Sequence, residues 1–87
     1  MAIVWIPSLM RDLTGGQTRI DVSGRTVKDV IDALDARYPG VKERLCDGAR
    51  LDPTVAISVN NKVTRLGLRQ PVGTVDEVRF LPVIEGG

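Results

Sequence analysis

Apolar positions along this chain recur at spacings of two residues in some stretches and at helical spacing in one, and the changes of period mark out its elements. Ala2-Ile3-Val4-Trp5-Ile6-Pro7 is a short run rich in β-favouring side chains, a first strand that Pro7 ends or marks as an edge. Ser8 to Leu13 is a connecting segment with room for one helical turn, and Thr14-Gly15-Gly16 is a turn. Gln17 to Val22 alternates, with Thr18, Ile20 and Val22 on one face of a half-buried strand. These two strands form an antiparallel hairpin with a long loop. Ser23-Gly24-Arg25 breaks the pattern, and Thr26 then serves as a helix N-cap with Asp29 three residues on. Val27, Val30, Ile31, Leu34 and Tyr38 share one face of the helix that follows, and Lys28, Asp32, Asp35 and Arg37 supply much of the other. Pro39-Gly40 stops it near Tyr38.

Val41 to Leu45 has the length of one more turn, with Val41 and Leu45 inward, and Asp47-Gly48 and Asp52-Pro53 are loop signals. Val55, Ile57 and Val59 alternate with Ala56 and Ser58 in a third strand. Asn60-Asn61 is a turn, Val63 resumes a short extended piece, and Arg69 to Gly73 is a loop or a very short strand. Val75-Asp76-Glu77 leads into a last strand, Val78 to Val83, with Val78 and Phe80 toward the core and Arg79 and Leu81 away from it. One helix of this length packs across one sheet, so the order predicts an α+β domain whose mixed sheet wraps the helix at about residues 26–38. Ubiquitin-like β-grasp domains share that order. Residues 1–84 are the expected β-grasp domain and 85–87 a flexible Gly-Gly tail.

Composition narrows the function. A chain of 87 residues is one domain. Its net charge of +1 offers no pull toward nucleic acid or an acidic membrane, and no apolar window is long enough to span a bilayer. The opening residues lack the basic segment of a signal peptide, and the single cysteine, Cys46, has no internal disulfide partner, so a cytoplasmic location is expected. Histidine is absent, which removes the usual neutral-pH base and the commonest metal ligand. Asp and Glu form no paired pattern. The chain therefore reads as no independent enzyme, with no bound cofactor and no metal.

The chemistry concentrates at the end of the sequence, where Gly86-Gly87 follows the apolar run Val78 to Ile84 and then Glu85. With Gly87 as the natural end, its α-carboxylate is the reactive group. A carboxylate is a poor electrophile because attack must expel oxide. Activation by ATP would give an acyl-adenylate with AMP as leaving group, and a sulfur donor would then yield a thiocarboxylate nucleophile. Two residues without side chains can thread a narrow active site. From Val83 to Gly87 the chain reaches roughly 15 Å, so the body could dock on an enzyme while the tip enters a buried site.

Thr26-Val27-Lys28-Asp29-Val30-Ile31 with Leu34, Pro39-Gly40-Val41, Val59-Asn60 and the stretch from Asp76 to Gly87 resemble the small sulfur-carrier family. That family includes the small subunit of molybdopterin synthase, the thiamin-pathway carrier and a carrier for cysteine biosynthesis. Pro7-Ser8-Leu9-Met10-Arg11 and Leu13-Thr14-Gly15-Gly16-Gln17 look most like the cysteine-pathway carriers. The resemblance implies a β-grasp fold and a protein substrate for an adenylating, ubiquitin-activating-like enzyme that consumes ATP. It implies Gly87 as thiocarboxylate, a pyridoxal-phosphate-dependent cysteine synthase as sulfur acceptor, and a zinc-dependent peptidase that releases the amide-linked cysteine. The tail departs from the molybdopterin-type pattern of two prolines and a small residue before Gly-Gly, since Pro82 is followed by Val83, Ile84 and Glu85.

Other candidates are read against plainer roles. Leu81 and Val83, with Ile84 and Glu85, either form an exposed partner-binding patch beside the tail or lie under the Leu66-Gly67-Leu68 loop. Arg11, Arg65 and Arg79 are docking residues for an acidic surface or ordinary surface arginines. Asp76 and Glu77 begin the last strand in a solvated turn. Trp5 is strand packing, and Cys46 is a half-buried structural thiol. Three further functions stay open beside a cysteine-pathway carrier: a sulfur donor for molybdopterin or another cofactor, a protein modifier joined through Gly87 to lysines, and a non-catalytic interaction module.

Overall fold

A computed structural model describes residues 1–83. Strand β1 (Ala2–Trp5) leads through a 3-10 turn (Ser8–Met10) to β2 (Arg19–Val22). Helix α1 (Val27–Arg37) and a five-residue α2 (Val41–Leu45) follow. A small hairpin of β3 (Cys46–Asp47) and β4 (Arg50–Leu51) precedes β5 (Val55–Val59), β6 (Lys62–Val63), a second 3-10 turn (Gly67–Arg69) and β7 (Glu77–Pro82). The main sheet runs β2-β1-β7-β5-β6. The two chain-terminal strands, β1 and β7, pair in parallel at its centre, and the other pairs are antiparallel.

Alternation builds the core. Ala2 and Val4, Ile20 and Val22, Ile57, and Val78 and Phe80 point to one side, where Val27, Val30, Ile31 and Leu34 of α1 meet them. The Thr26 hydroxyl accepts a hydrogen bond from the Asp29 amide at 3.3 Å, so the expected cap is in place. Val41 and Leu45 of α2 are buried, as their spacing predicts. Asn60 and Asn61 both take positive φ, 52° and 69°, between paired Val59 and Lys62, the geometry of a type I′ hairpin turn.

Several expectations shift. β1 ends at Trp5 because Pro7 turns the chain into the 3-10 segment, although the Ile6 amide still reaches the Thr18 carbonyl. β2 begins at Arg19, so Thr18 lies ahead of the ladder and is exposed rather than inward. The last strand starts one residue early, at Glu77, and ends at Pro82. Alternation fails in β5: Ser58, small and set between Arg79 and Val63 in the ladder, is buried along with Ile57. The β3–β4 hairpin falls in a stretch expected to be loop. Within Arg69 to Gly73, Arg69 ends the second 3-10 turn and Pro71 makes a single bridge to Thr26.

Candidate functional site

β7 leads to the candidate tail, and its surroundings form two surfaces. The first is the sheet face opposite α1. Cross-strand register sets Arg19, Trp5, Arg79, Ser58 and Val63 in one row over β2, β1, β7, β5 and β6. The Trp5 ring lies between two guanidinium groups, with Arg79 5.3 Å and Arg19 6.0 Å from its centroid. Its Nε1–H donates to Glu77 Oε1 at 2.8 Å. Arg79 Nη1 donates to Asn61 Oδ1 at 3.1 Å, and Arg79 Nη2 lies 3.8 Å from Glu77 Oε1. Trp5 is thus strand packing, as expected, and also the centre of a polar cluster that needs the parallel β1–β7 register to assemble.

The entry to β7 is tied down by Asn60. Its Nδ2 donates to Asp76 Oδ1 and its Oδ1 accepts from the Glu77 amide, both at 2.9 Å. Asp76 Oδ2 also accepts from the Gly73 amide, and these donors hold the Asp76 carboxyl below its ordinary pKa. Asp76 and Glu77 therefore occupy the half-exposed turn that begins the strand.

The second surface is an apolar groove of about 280 Å³ where β7 ends. Met10 and Pro7 come from the first connection, Leu45 and Arg44 from α2, Val55 from β5, and Phe80, Leu81 and Val83 complete the wall. Leu81 and Val83 are 37% and 40% exposed, so the Leu66-Gly67-Leu68 loop does not cover them. Leu68 packs against the core cluster instead, and Leu66 is exposed. Arg44 makes a two-pronged contact with Asp12, at 2.9 and 3.1 Å, which ties α2 to the loop after Met10. Arg11 is exposed in that loop, and Arg65 is exposed beyond β6. Ile84, Glu85, Gly86 and Gly87 lie outside the described residues.

Alternation along β7 singled out Leu81 and Val83, but the opposite wall of the groove was missed. The inward placement of Leu45 pointed to it, since its neighbour Arg44 must then stand at the rim. Cys46 is half-buried, and burial raises its thiol pKa, which fits the structural reading. Among the described residues no group of three or more acidic or cysteine side chains could hold a metal ion, and no helix is long and apolar enough to cross a membrane.

Comparison with known proteins places this architecture. The model of the ThiS family matches residues 4–87. The sulfur carrier protein CysO of Mycobacterium tuberculosis is 39% identical over 89 residues, covering 97% of this chain and 96% of the relative. The crystal structure of an Amycolatopsis orientalis BexX/CysO complex contains a chain with TM-score 0.92 and 32% identity, with full coverage of both chains. Mycobacterium tuberculosis CysO itself superposes with TM-score 0.89 at 37% identity, covering 97% of this chain and all of that one. The fold is the ubiquitin-like β-grasp that the element order predicts.

Proposed function

The chain belongs to the ThiS family, and on that premise we propose that Gly87 is the loading point of this sulfur carrier. The carboxylate oxygen of Gly87 attacks the α-phosphorus of ATP in the site of an adenylating, ubiquitin-activating-like enzyme, and pyrophosphate leaves. A sulfur nucleophile then adds to the acyl carbon, the acyl–oxygen bond breaks, and AMP departs with the electron pair. The thiocarboxylate left on Gly87 delivers its sulfur to an electrophilic acceptor. The observation that carries this reading is the match to the family model, which runs through residue 87.

The body positions and presents the tail. β7 is held by β1 as far as Arg79 and by β5 as far as Pro82, so the segment after Pro82 leaves from the end of a strand anchored in the middle of the sheet. The groove with Leu81 and Val83, and the outer face with Arg79, supply docking surface for the adenylating enzyme, with Arg11 at the periphery. Ile84 and Glu85 would contact the enzyme as the tail enters. That a protein of this shape is seen complexed with a second protein, in the BexX/CysO structure, supports a carrier that works by docking.

The finer reading is a cysteine-pathway carrier, supported by the resemblance of the opening segment and by the CysO relatives. Its acceptor is a pyridoxal-phosphate-dependent cysteine synthase, and a zinc-dependent peptidase frees the cysteine left amide-linked to Gly87. The adenylation step is tested by pyrophosphate release with the adenylating enzyme and ATP. The full chain supports turnover, whereas a chain lacking Gly86-Gly87, or one with an alanine appended after Gly87, does not. Equal release with the shortened chain would overturn the proposal.

A further inference from the structure

An activated acyl group is attacked by amines as well as by sulfur, so the state of the chain's own lysines matters. There are three, Lys28, Lys42 and Lys62. Lys28 Nζ lies 3.0 Å from Asp32 Oδ2 and Lys42 Nζ 3.1 Å from Asp32 Oδ1, so one carboxylate holds both ammonium groups. An amine attacks only after losing its proton, and an ion pair opposes that loss; Asp32 raises the pKa of Lys42 accordingly. Lys62 makes no ion pair or side-chain hydrogen bond among the described residues. It is exposed, directly after the Asn60-Asn61 turn, on the edge strand of the main sheet. Among the described residues β6 has a sheet neighbour on one side only, and its other side can accept an extended segment by strand addition.

We propose that Lys62 is an acyl-acceptor site to which the activated carboxyl group of a second copy of this chain is transferred. The proposal rests on the reading that Gly87 is activated as an acyl-adenylate. The neutral Lys62 nitrogen adds to the acyl carbon, an N–C bond forms, the acyl–oxygen bond breaks with AMP taking the electron pair, and the ammonium proton passes to water. The product is an isopeptide between Gly87 of one copy and Lys62 of the other. Register explains why the donor is another copy. Lys62 sits opposite Val59, which pairs with Val78, whereas the tail departs beyond Pro82, paired with Val55 at the other end of β5. The five residue steps from Val78 to Val83 span about 17 Å, with two ladder spacings of about 5 Å between β7 and β6. Four tail residues reach roughly 13 Å, so a chain's own tail, even fully extended back along its sheet, falls short of the Lys62 backbone.

The test uses the full chain carrying a chemically installed thioester at Gly87 as acyl donor, mixed with unmodified full chain at mildly alkaline pH. Trypsin cuts after Arg79, so an acceptor lysine keeps residues 80–87 of the donor as a mass tag. The expected result is a two-chain conjugate with Lys62 tagged about threefold or more over Lys28 or Lys42, since both of those must first break an ion pair. Lys62→Arg should remove most of the conjugate with an unchanged melting temperature, and Lys28→Arg should not. Equal tagging of all three lysines, no conjugate, or an undiminished yield from Lys62→Arg overturns the site. A cyclised single chain at Lys62 overturns the second-copy assignment. The thioester needs no adenylating enzyme, so a negative result here counts against Lys62, whereas absent pyrophosphate release counts against the carrier reading.

Discussion

Replacing Asn60 by glycine and by alanine separates two contributions that one asparagine makes to the entry of β7. Its side chain donates to Asp76 and accepts from the Glu77 amide, while its backbone holds φ at 52°. Glycine removes the two hydrogen bonds and keeps the backbone at ease. Both bonds are solvent-exposed, and water replaces part of each, so the loss is about 1 kcal/mol. Alanine loses the same bonds and adds the crowding of Cβ in a left-handed conformation, roughly 1 kcal/mol more. For a domain of this size each kcal/mol lowers the melting temperature by about 4–8 °C. The parent should therefore melt highest, Asn60→Gly about 4–8 °C lower and Asn60→Ala about 8–16 °C lower. Circular dichroism melts read the order, and Trp5 emission reports whether its bond to Glu77 survives. If alanine melts as high as glycine, the backbone argument is wrong. If glycine melts with the parent, the side-chain ties contribute nothing.

Acid should weaken the fold in a defined window. Asp12 beside Arg44, Asp32 beside Lys28 and Lys42, Asp52 beside Thr54, and Asp76 with the Gly73 amide all have lowered pKa values. Their stabilisation is fully present above the unfolded value near 4 and is lost as pH falls through the folded values, so melting temperature should hold from neutrality to about pH 5 and drop below about pH 4. Asp76→Asn should soften that drop, and a melting temperature level down to about pH 3 would contradict the assignment. Leu81→Asp should raise KM for the adenylating enzyme about tenfold while moving the melting temperature by no more than a few degrees, since Leu81 is 37% exposed. An unchanged KM would remove Leu81 from the docking surface. Cys46 should react with iodoacetamide at neutral pH far more slowly in the folded chain than in urea, because burial raises its thiol pKa. Equal rates would refute the half-buried structural role.

What could be read from the chain were features whose cause is local. Thr26 with Asp29 announces a helix start through one hydroxyl and one amide. Asn60-Asn61 announces a turn through the tolerance of asparagine for positive φ. Val78 and Phe80 announce a core face through a period of two. Features that depend on register or on distant packing were hidden. The row through Trp5 and Arg79 exists only because β1 and β7, more than seventy residues apart, pair in parallel with Trp5 beside Arg79. The groove needs Met10, Leu45 and Phe80 to converge from three separate segments. β3 and β4 have two residues each, too few to show alternation, so only their turn was visible. The proposed reactive group, at Gly87, was suggested by carboxylate chemistry and by the family resemblance, because a glycine has no side chain with which to signal a fold.

The proposed function depends on sulfur being carried on Gly87. The most direct measurement is high-resolution mass spectrometry of this protein taken from its native cell, with fragmentation that isolates the peptide after Arg79. Exchange of one oxygen for sulfur within Gly87, absent from a chain lacking Gly86-Gly87, is the predicted result. An oxygen-only terminus in both sulfur-replete and sulfur-limited cells, with no adduct on Gly87, would contradict it.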